Sequence, residues 1–327
     1  MYTRPAELAA GVIVAELAAG WDLAVDEVEY LPVGFGSHHW RADGGGERWF
    51  VTVDDFDAKR WTPDETWDQG YARLEAAIAT SRALRDDGLE FVVAPEPTGE
   101  GEVLRRLDRF ALALYRHVDG RTHTYGPFRS AEDRRAVLDL VVRLHAAPVI
   151  GPTCIDDFEL RNRADLDQAL DDLDGEWDTG PYGEPCREVL VESEPALRRH
   201  LAMYDGLADQ ARAHPERMVL THGEPHAANT ILTPSGWVLV DWDTALVAPP
   251  ERDIWAMVGD DTAVLDLYSA ATGRTVQPEA IELYRLGWDL AEVAIYTALL
   301  RAPHERSEDV DLSWGYLKGY LEQLAAE

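Results

Sequence analysis

The residues best suited to chemistry lie in one stretch of the chain, between positions 220 and 243. Glu224 supplies a carboxylate and Asn229 a carboxamide five residues later, on a loop between two short predicted strands. Asp241 and Asp243 add two carboxylates at the end of a further strand. Oxygen ligands from an Asn and an Asp suit Mg²⁺, which takes its other ligands from phosphate and water. Because Glu224 can orient a hydroxyl or accept its proton, the set matches the needs of phosphoryl transfer.

The same loop also permits a transition-metal site. His222, Glu224 and His226 form an HxExH pattern, and histidine with carboxylate ligands can bind zinc or iron. This alternative predicts a metallohydrolase or an oxygenase. It gives no role to Asn229 or Asp241, so phosphoryl transfer is favoured.

The elements that must position this loop fall into two parts. Apolar, aromatic and β-branched runs predict five strands and one intervening helix within the first 115 residues. Helical patterns dominate beyond Gly120, interrupted by the short strands around Glu224. The strands are predicted at 28–33, 37–42, 48–54, 102–106 and 110–115, and the main helices at 5–19, 66–84, 130–146, 196–213, 279–301 and 312–326. A small β-rich lobe followed by a larger helical lobe is expected.

Charge and composition limit the partners. The chain has 61 acidic against 30 basic residues and a formal net charge of −31, which disfavours nucleic acid and anionic membranes as partners. The acidity fits either a generally acidic proteome or a pocket for a cationic small molecule. Cys154 and Cys186 form no CxxC pair, so neither a disulfide framework nor structural zinc is expected. With no secretory signal and no long apolar run, a cytoplasmic location is expected.

The spacing of the loop is similar to that of a known family. His222, Gly223 and Glu224 are followed after four residues by Asn229, and Asp241 begins an Asp-Trp-Asp segment after an apolar strand. These motifs resemble the aminoglycoside phosphotransferase and choline kinase family, small-molecule phosphotransferases with a protein-kinase-like fold. The resemblance implies an α+β, bilobal fold with a small antiparallel β-rich N-lobe and a larger, mainly helical C-lobe.

Two further segments carry the resemblance. Residues 249–254 resemble the family's Pro-Pro-x-x-Asp-Leu element, in which the aspartate, here Asp253, braces the loops. Residues 140–146 resemble the helix that precedes the substrate lobe. The resemblance covers nearly the whole chain and is weakest in residues 150–215. It implies a nucleotide-binding lobe at 1–114, a hinge at 115–120, and a catalytic and substrate-binding lobe at 121–327.

The resemblance assigns the catalytic and metal-binding roles. Glu224 matches the family's catalytic aspartate and His222 a position that braces the catalytic loop, while Asn229 and Asp241 match the Mg²⁺ ligands. A glutamate has a pKa similar to that of an aspartate, about 4.3 against 3.9, so the proton chemistry is kept. Its carboxylate reaches one bond further, and misplacement by roughly 1 Å can cost about a hundredfold in rate. We expect a loop adjusted to the longer arm; reduced activity is the alternative.

A second departure concerns the nucleotide phosphates. The family's third strand carries a lysine that contacts the α- and β-phosphates and pairs with a helix glutamate, whereas this chain has Thr52 there. Lys59, seven residues on, could take that role and pair with Glu75, and it fits an exposed loop residue equally well. Arg48 or an arginine from elsewhere in the chain could also neutralise the phosphates. Together with Glu224, this change leaves open a pseudokinase that binds nucleotide without transferring phosphate.

Two segments of the first lobe are candidates for nucleotide binding. Gly34, Gly36 and Ser37 resemble the hairpin that covers the phosphates, where glycines allow close backbone approach. Tyr115 and His117 resemble the hinge, whose backbone commonly reads the base. ATP or GTP is the expected phosphate donor.

An acidic helix face is the candidate acceptor site. Asp289 and Glu292 are three residues apart and share a helical face, beside Trp288. By resemblance this region lines the acceptor site, so these residues, with Asp243, could hold a cationic or sugar-like substrate. A solvated acidic face is the alternative.

These observations predict a Mg²⁺-dependent phosphotransferase. It would move the γ-phosphate of ATP or GTP to a hydroxyl of a small, possibly cationic molecule. The resemblance favours an antibiotic, which would confer resistance; a metabolite such as an amino alcohol or a sugar is the alternative. A monomer or a homodimer is expected, without nucleic-acid or membrane partners.

Overall fold

The N-terminal part of the computed structural model is a five-stranded antiparallel sheet with one helix on each side. The structure describes residues 1–258 and 262–326. The elements are α1 (Ala10–Trp21), β1 (Glu27–Leu31), β2 (Ser37–Gly44), β3 (Glu47–Asp55), α2 (Trp67–Asp86), β4 (Arg105–Leu107) and β5 (Phe110–Arg116). The strands stand in the order β1-β2-β3-β5-β4.

Alternating side chains of the central strands explain the two-sided packing. On β5, Leu112 and Leu114 pack with α1 residues such as Ile13, whereas Ala111 and Ala113 face the α2 side. Successive strand residues point to opposite faces, so one apolar run serves both helices. β3 therefore lies in the middle of a sheet that is buried on both faces.

The C-terminal part is mainly helical and contains two small sheets. Two clusters of buried apolar side chains hold its helices together. The helices are α3 (Ala131–Ala146), α4 (Arg163–Asp171), α5 (Gly183–Arg212), α6 (Glu251–Val258), α7 (Ala263–Thr272), α8 (Pro278–Arg301) and α9 (Glu308–Ala326). The strands are β6 (Arg121–Thr122), β7 (Val219–Thr221), β8 (Thr230–Thr233), β9 (Gly236–Leu239) and β10 (Leu246–Ala248).

The small sheets hold the loops that carry the candidate chemistry. β7 pairs with β10, and β8 pairs with β6 and β9. Residues 222–229 therefore connect one sheet to the other, and residues 240–245 return between them. The Val240 N–H donates to the Asn229 carbonyl (3.0 Å), which fixes the two connections side by side.

The predicted α+β architecture is confirmed. The five strands of the first sheet lie close to their predicted positions, as do α2, α3, α8 and α9. The prediction missed α4, α6 and α7, and it began α5 13 residues late, since α5 starts at Gly183 rather than at 196. In the described part of the chain, no helix is both long enough and apolar enough to cross a membrane.

Candidate active site

Asp253 anchors the start of the candidate catalytic loop. This aspartate is fully buried on α6, where its carboxylate accepts the backbone N–H groups of His222 (2.9 Å) and Gly223 (2.6 Å). His145 Nε2 lies 3.1 Å from the same carboxylate. Burial alone would raise the pKa of Asp253, but the hydrogen bond and charge of His145 hold it below its ordinary value. The bracing role implied by the resemblance therefore has a physical basis.

Gly223 is required by the backbone at this point. Its φ is +100°, and an added Cβ would lie 2.5 Å from the Arg252 guanidinium. That guanidinium donates to the Thr221 hydroxyl (2.9 Å) and the Thr244 carbonyl (2.8 Å), so it is not free to retreat. Only glycine fits both the left-handed backbone and the space.

His222 ties the catalytic loop to the Asp241 segment. Its ring Nδ1 lies 3.2 Å from the Glu224 N–H, and Nε2 lies 2.9 Å from the Val240 carbonyl. Burial lowers its pKa, which favours the neutral ring that accepts at Nδ1 and donates at Nε2. With both nitrogens engaged, His222 has no lone pair for a metal, which argues against the HxExH alternative. Among the described residues, no three His, Cys, Asp or Glu side chains form a metal-binding group.

Glu224, Asn229 and Asp241 lie close together, beside the contacts that His222 and Asp253 make. Asn229 Nδ2 donates to the Glu224 carbonyl (3.0 Å), while its Oδ1 accepts no hydrogen bond from any residue that the structure describes. Asp241 is exposed and has a φ of +67°, a conformation that a non-glycine residue adopts at a cost. The Glu224 carboxylate is partly exposed, with Oε2 3.6 Å from His226 Nε2.

This donor set fits Mg²⁺. The free Oδ1 of Asn229 and the exposed carboxylate of Asp241 are hard oxygen donors on adjoining loops. Protein Mg²⁺ sites typically use one or two carboxylates and leave the remaining positions to water and substrate phosphate. A two-residue set is therefore sufficient for a nucleotide-bound Mg²⁺.

Lys59 joins the two lobes instead of pairing with α2. Its Nζ forms ion pairs with Asp54, at the end of β3, and with Asp243 in the C-lobe (2.6 Å to Oδ2). The predicted pairing with Glu75 is wrong, as is the exposed-loop alternative, because the chain turns after β3 toward Asp243 and leaves the lysine side chain only 12% exposed. Burial would raise the pKa of Asp243, but Lys59 holds it below its ordinary value.

The glycine loop between β1 and β2 reaches the same lysine. Gly34 and Gly36 have φ values of +71° and +85°, and a Cβ at Gly36 would lie 3.6 Å from Lys59 Cε. The Ser37 hydroxyl donates to Asp54 (2.7 Å), which also pairs with Lys59. The glycine loop, Lys59 and Asp243 thus form one connected arrangement across the lobes.

The other nucleotide-side candidates lie on the sheet. Thr52 on β3 is half-buried, and its side chain hydrogen-bonds with that of Tyr115 on β5. Burial, together with Asp54 and the Asp241 region, raises the pKa of Tyr115 well above its ordinary value. The His117 N–H donates to the Arg48 carbonyl (3.0 Å) just after β5. The predicted hinge therefore begins within the last two residues of a sheet strand.

Glu292 is brought close to Glu224. Burial raises the pKa of Glu292, and its neighbours include the Tyr296 hydroxyl and the Glu224 carboxylate. The exposed ring of Tyr125 packs edge-on against His226 at 5.0 Å. Burial, with Glu292 and then Glu224, raises the pKa of Tyr125 to about 12. Two carboxylates and a tyrosine thus border the candidate acceptor position.

The predicted acidic face of α8 divides into two environments. Asp289 is buried, and its Oδ2 lies 3.1 Å from Arg285 Nη1 and accepts from Gln323 Nε2 (2.9 Å). Trp288 Nε1 donates to the Tyr320 hydroxyl on α9 (3.1 Å). Asp289 therefore takes part in the α8–α9 contact, whereas Glu292 is the carboxylate that interacts with Glu224.

Arg161 and Tyr125 were missed by the sequence analysis. Arg161 lies close enough to interact electrostatically with Asp243, Glu292 and Glu224. It belongs to the segment in which the resemblance is weakest, and no local motif marks either residue. Only the fold brings them to Glu224.

Comparisons with known proteins show a family match and a related protein. The family described as "Phosphotransferase enzyme family", APH, matches residues 27–296. Protein StrN of Streptomyces griseus is 30% identical over 315 residues, covering 92% of this chain and 88% of that protein.

Solved structures show the same fold at low sequence identity. A spectinomycin phosphotransferase, solved with ADP and spectinomycin, superposes with a TM-score of 0.74 at 15% identity, covering 98% of each chain. A choline kinase from Streptococcus pneumoniae superposes with a TM-score of 0.54 at 12% identity, covering 97% of this chain and 99% of that one. The expected kinase-like, two-lobed fold is confirmed.

Proposed function

Since this chain belongs to the APH phosphotransferase family, we propose that it moves the γ-phosphoryl group of ATP or GTP to a hydroxyl of a small molecule. The observation that carries the proposal is the convergence of Glu224, Asn229 and Asp241 on two loops that His222 and Asp253 brace. In the reaction, the acceptor oxygen forms a bond to the γ-phosphorus, and the bond to the β–γ bridging oxygen breaks. The nucleoside diphosphate leaves.

Glu224 is the proposed base and orienting group. Its carboxylate is partly exposed, so it can reach an acceptor hydroxyl and take up the proton released as the new bond forms. Its backbone is held at both polar groups, the N–H by His222 and the carbonyl by Asn229. This two-sided support favours a loop adjusted to the longer glutamate over an impaired pseudokinase.

The Mg²⁺ site would be formed by Asn229 Oδ1 and the Asp241 carboxylate. A bound Mg²⁺ supplies charge neutralisation to the nucleotide phosphates. His222 and Asp253 act as positioning residues, because they hydrogen-bond the backbone of the two loops and are both fully buried.

The nucleotide is proposed to lie between the glycine loop and the Asp241 segment. Gly34, Gly36 and Ser37 would approach its phosphates, and Lys59 would supply the cation that the family takes from the third strand. Thr52, Tyr115 and His117 would border the base or the sugar. Residues 1–114, 115–120 and 121–327 are the proposed nucleotide lobe, hinge and catalytic lobe, in a cytoplasmic monomer or homodimer.

The acceptor is proposed to be a hydroxylated, cationic molecule. Glu224 and Glu292 supply negative charge, and Tyr125 supplies an aromatic face that suits a cation. Trp288, Asp289 and Asp243 remain candidates for its outer contacts; all three already have partners within the protein. An antibiotic is the favoured class, in line with the spectinomycin phosphotransferase fold. An amino alcohol or a sugar is the alternative, in line with the choline kinase fold.

A nucleotide-consumption screen tests this function. The acceptors are spectinomycin, aminoglycosides, macrolides, choline and ethanolamine, each with ATP or GTP and Mg²⁺. Glu224→Gln and Asp241→Ala should abolish acceptor-dependent consumption, whereas Glu216→Gln, at an exposed position, should leave it unchanged. Equal consumption by wild type and Asp241→Ala would refute the site. Nucleotide binding without consumption across acceptors would favour the pseudokinase.

A further inference from the structure

Arg161 lies in a loop of the C-lobe that touches the N-lobe. The loop precedes α4, and the N–H of the next residue, Asn162, donates to the Trp61 carbonyl (2.8 Å) in the segment that follows β3. Asn162 has a φ of +56°, so the chain turns sharply there. The loop therefore places Arg161 at the junction of the lobes, near the segment that carries Lys59.

The guanidinium of Arg161 has charged neighbours, but none of the residues that the structure describes hydrogen-bonds or ion-pairs with it. Its Nε is removed from solvent without a hydrogen bond, and no ion pair links its guanidinium to the described residues. Burial first, and then Arg73, lower the pKa of Arg161, while Asp243, Glu292 and Glu224 oppose that change. Leaving the buried Nε donor without a hydrogen bond is costly, and a ligand that accepts from it would remove that cost.

We propose that Arg161 binds the phosphoryl group during its transfer, an inference that rests on the proposed function. Arg161 interacts with Asp243, next to Lys59, and with Glu224 and Glu292 at the acceptor end. The phosphoryl group must pass from the Lys59 and Asp243 side to the Glu224 and Glu292 side of the site. During this passage its bond to the β–γ bridging oxygen breaks and its bond to the acceptor oxygen forms. The planar guanidinium offers parallel donors that match two phosphate oxygens.

The local charge explains why a second cation is needed. Asp243 already engages Lys59, and Thr52 supplies no charge where the family has a lysine. Carboxylates also approach from Glu224 and Glu292, which would repel the phosphoryl oxygens. A free guanidinium among these groups offsets that repulsion at the stage when charge spreads over the transferred group.

Binding of an anionic group on the acceptor is the competing role for Arg161. The acceptor end is acidic, and Glu292 and Tyr125 there suit a cation. If Arg161 contacted the acceptor, its positive charge would weaken the binding of a cationic acceptor. The observations therefore favour the phosphoryl group.

Nucleotide affinities test the proposal without requiring turnover. The affinities of ADP and AMP-PNP, each with Mg²⁺, are measured for wild type, Arg161→Gln and Arg161→Lys. The matched control is Arg163→Gln, because Arg163 pairs with Asp167 and Asp205 at the surface. We expect Arg161→Gln to weaken AMP-PNP about tenfold or more, as expected for a lost charge-assisted hydrogen bond, and to leave ADP unchanged. Arg163→Gln should change neither affinity.

Turnover and stability separate the remaining outcomes. With an acceptor from the screen, Arg161→Gln should lower kcat by about 10² to 10³ and leave the acceptor KM near wild type. A raised acceptor KM with unchanged AMP-PNP affinity would overturn the proposal in favour of acceptor binding. Equal weakening of ADP and AMP-PNP would also overturn it. If Arg161→Gln does not fold, Arg161→Lys takes its place, because lysine keeps the charge but lacks the two parallel donors of a guanidinium. It should weaken the binding of AMP-PNP but not that of ADP, by a smaller factor than Arg161→Gln. If no acceptor is found, the proposed function fails while the AMP-PNP comparison still decides the role of Arg161.

Discussion

At the scale of single residues, the proposed activity depends most on the glutamate that stands in place of an aspartate. Glu224 differs from the family residue by one methylene, yet its N–H and carbonyl are each held by a neighbour. The longer side chain therefore starts from a fixed backbone. The loop is expected to place the Glu224 carboxylate correctly and an aspartate carboxylate too far from the hydroxyl.

Glu224→Asp tests that expectation. We predict that the shorter side chain lowers kcat by about tenfold to a hundredfold, because it withdraws the carboxylate by roughly 1 Å. Glu224→Gln, which removes the base, should lower kcat by about 10² to 10⁴. Steady-state kinetics with one acceptor measures both. A Glu224→Asp enzyme faster than wild type would mean that the natural loop is impaired.

In its proposed place at the acceptor site, Glu292 should give acceptor binding a pH dependence. Because burial raises its pKa, Glu292 loses its charge at a higher pH than an ordinary glutamate does. The KM for a cationic acceptor should therefore rise as the pH falls through the raised pKa, and reach its lowest value above it. Glu292→Gln should raise the KM at high pH and remove this part of the profile. A pH profile identical in wild type and Glu292→Gln would contradict the assignment.

At the scale of elements, the candidate catalytic loop depends on contacts from distant parts of the chain. Asp253 and His145 come from two different helices, and Arg252 fills the space beside Gly223. The family resemblance predicted the loop and the aspartate that holds it. It could not show that Arg252 excludes any side chain at Gly223, because that contact exists only in the folded chain.

Gly223→Ala is expected to be much more harmful than an ordinary glycine substitution. The strained φ and the clash with Arg252 together should lower the free energy of unfolding by about 2 to 4 kcal/mol. The matched control is Gly273→Ala at the end of α7, where φ is +69° and an added Cβ meets nothing within 4 Å. That change should cost about 1 kcal/mol. Denaturant unfolding measures both, and equal losses would contradict the packing argument.

The sequence predicted the elements with strong periodicity better than the contacts between them. The five sheet strands and α8 follow from local patterns, whereas α4 and the start of α5 lie in the acidic segment with weak motifs. Lys59 was recognised as the available lysine, but its partners Asp54 and Asp243 were not. Asp243 is distant in sequence and meets Lys59 only when the two lobes come together.

At the scale of the whole molecule, the excess of acidic residues must be balanced by the fold. A formal charge of −31 produces mutual repulsion in the compact state. Surface ion pairs offset part of it, but 30 basic residues can neutralise only part of the charge of 61 acidic ones. Salt should therefore stabilise this protein, because screening weakens long-range repulsion.

Thermal unfolding in salt measures this effect. We predict that Tm rises as NaCl increases from about 0.05 to 0.5 M, over which the Debye length shortens from roughly 14 to 4 Å. KCl at equal concentration should give the same rise, since screening depends on ionic strength and not on the cation. A Tm that falls with salt would show that attractive ion pairs outweigh the repulsion.

Transfer of phosphate to a defined acceptor is the most direct test of the central claim. With an acceptor from the screen, mass spectrometry should show a gain of one phosphoryl group and an equal amount of nucleoside diphosphate. Glu224→Gln and Asp241→Ala, confirmed as folded by their Tm, should give neither product. Phosphorylated acceptor at the wild-type rate from Asp241→Ala would contradict the account, and so would nucleotide hydrolysis by wild type without any acceptor modification.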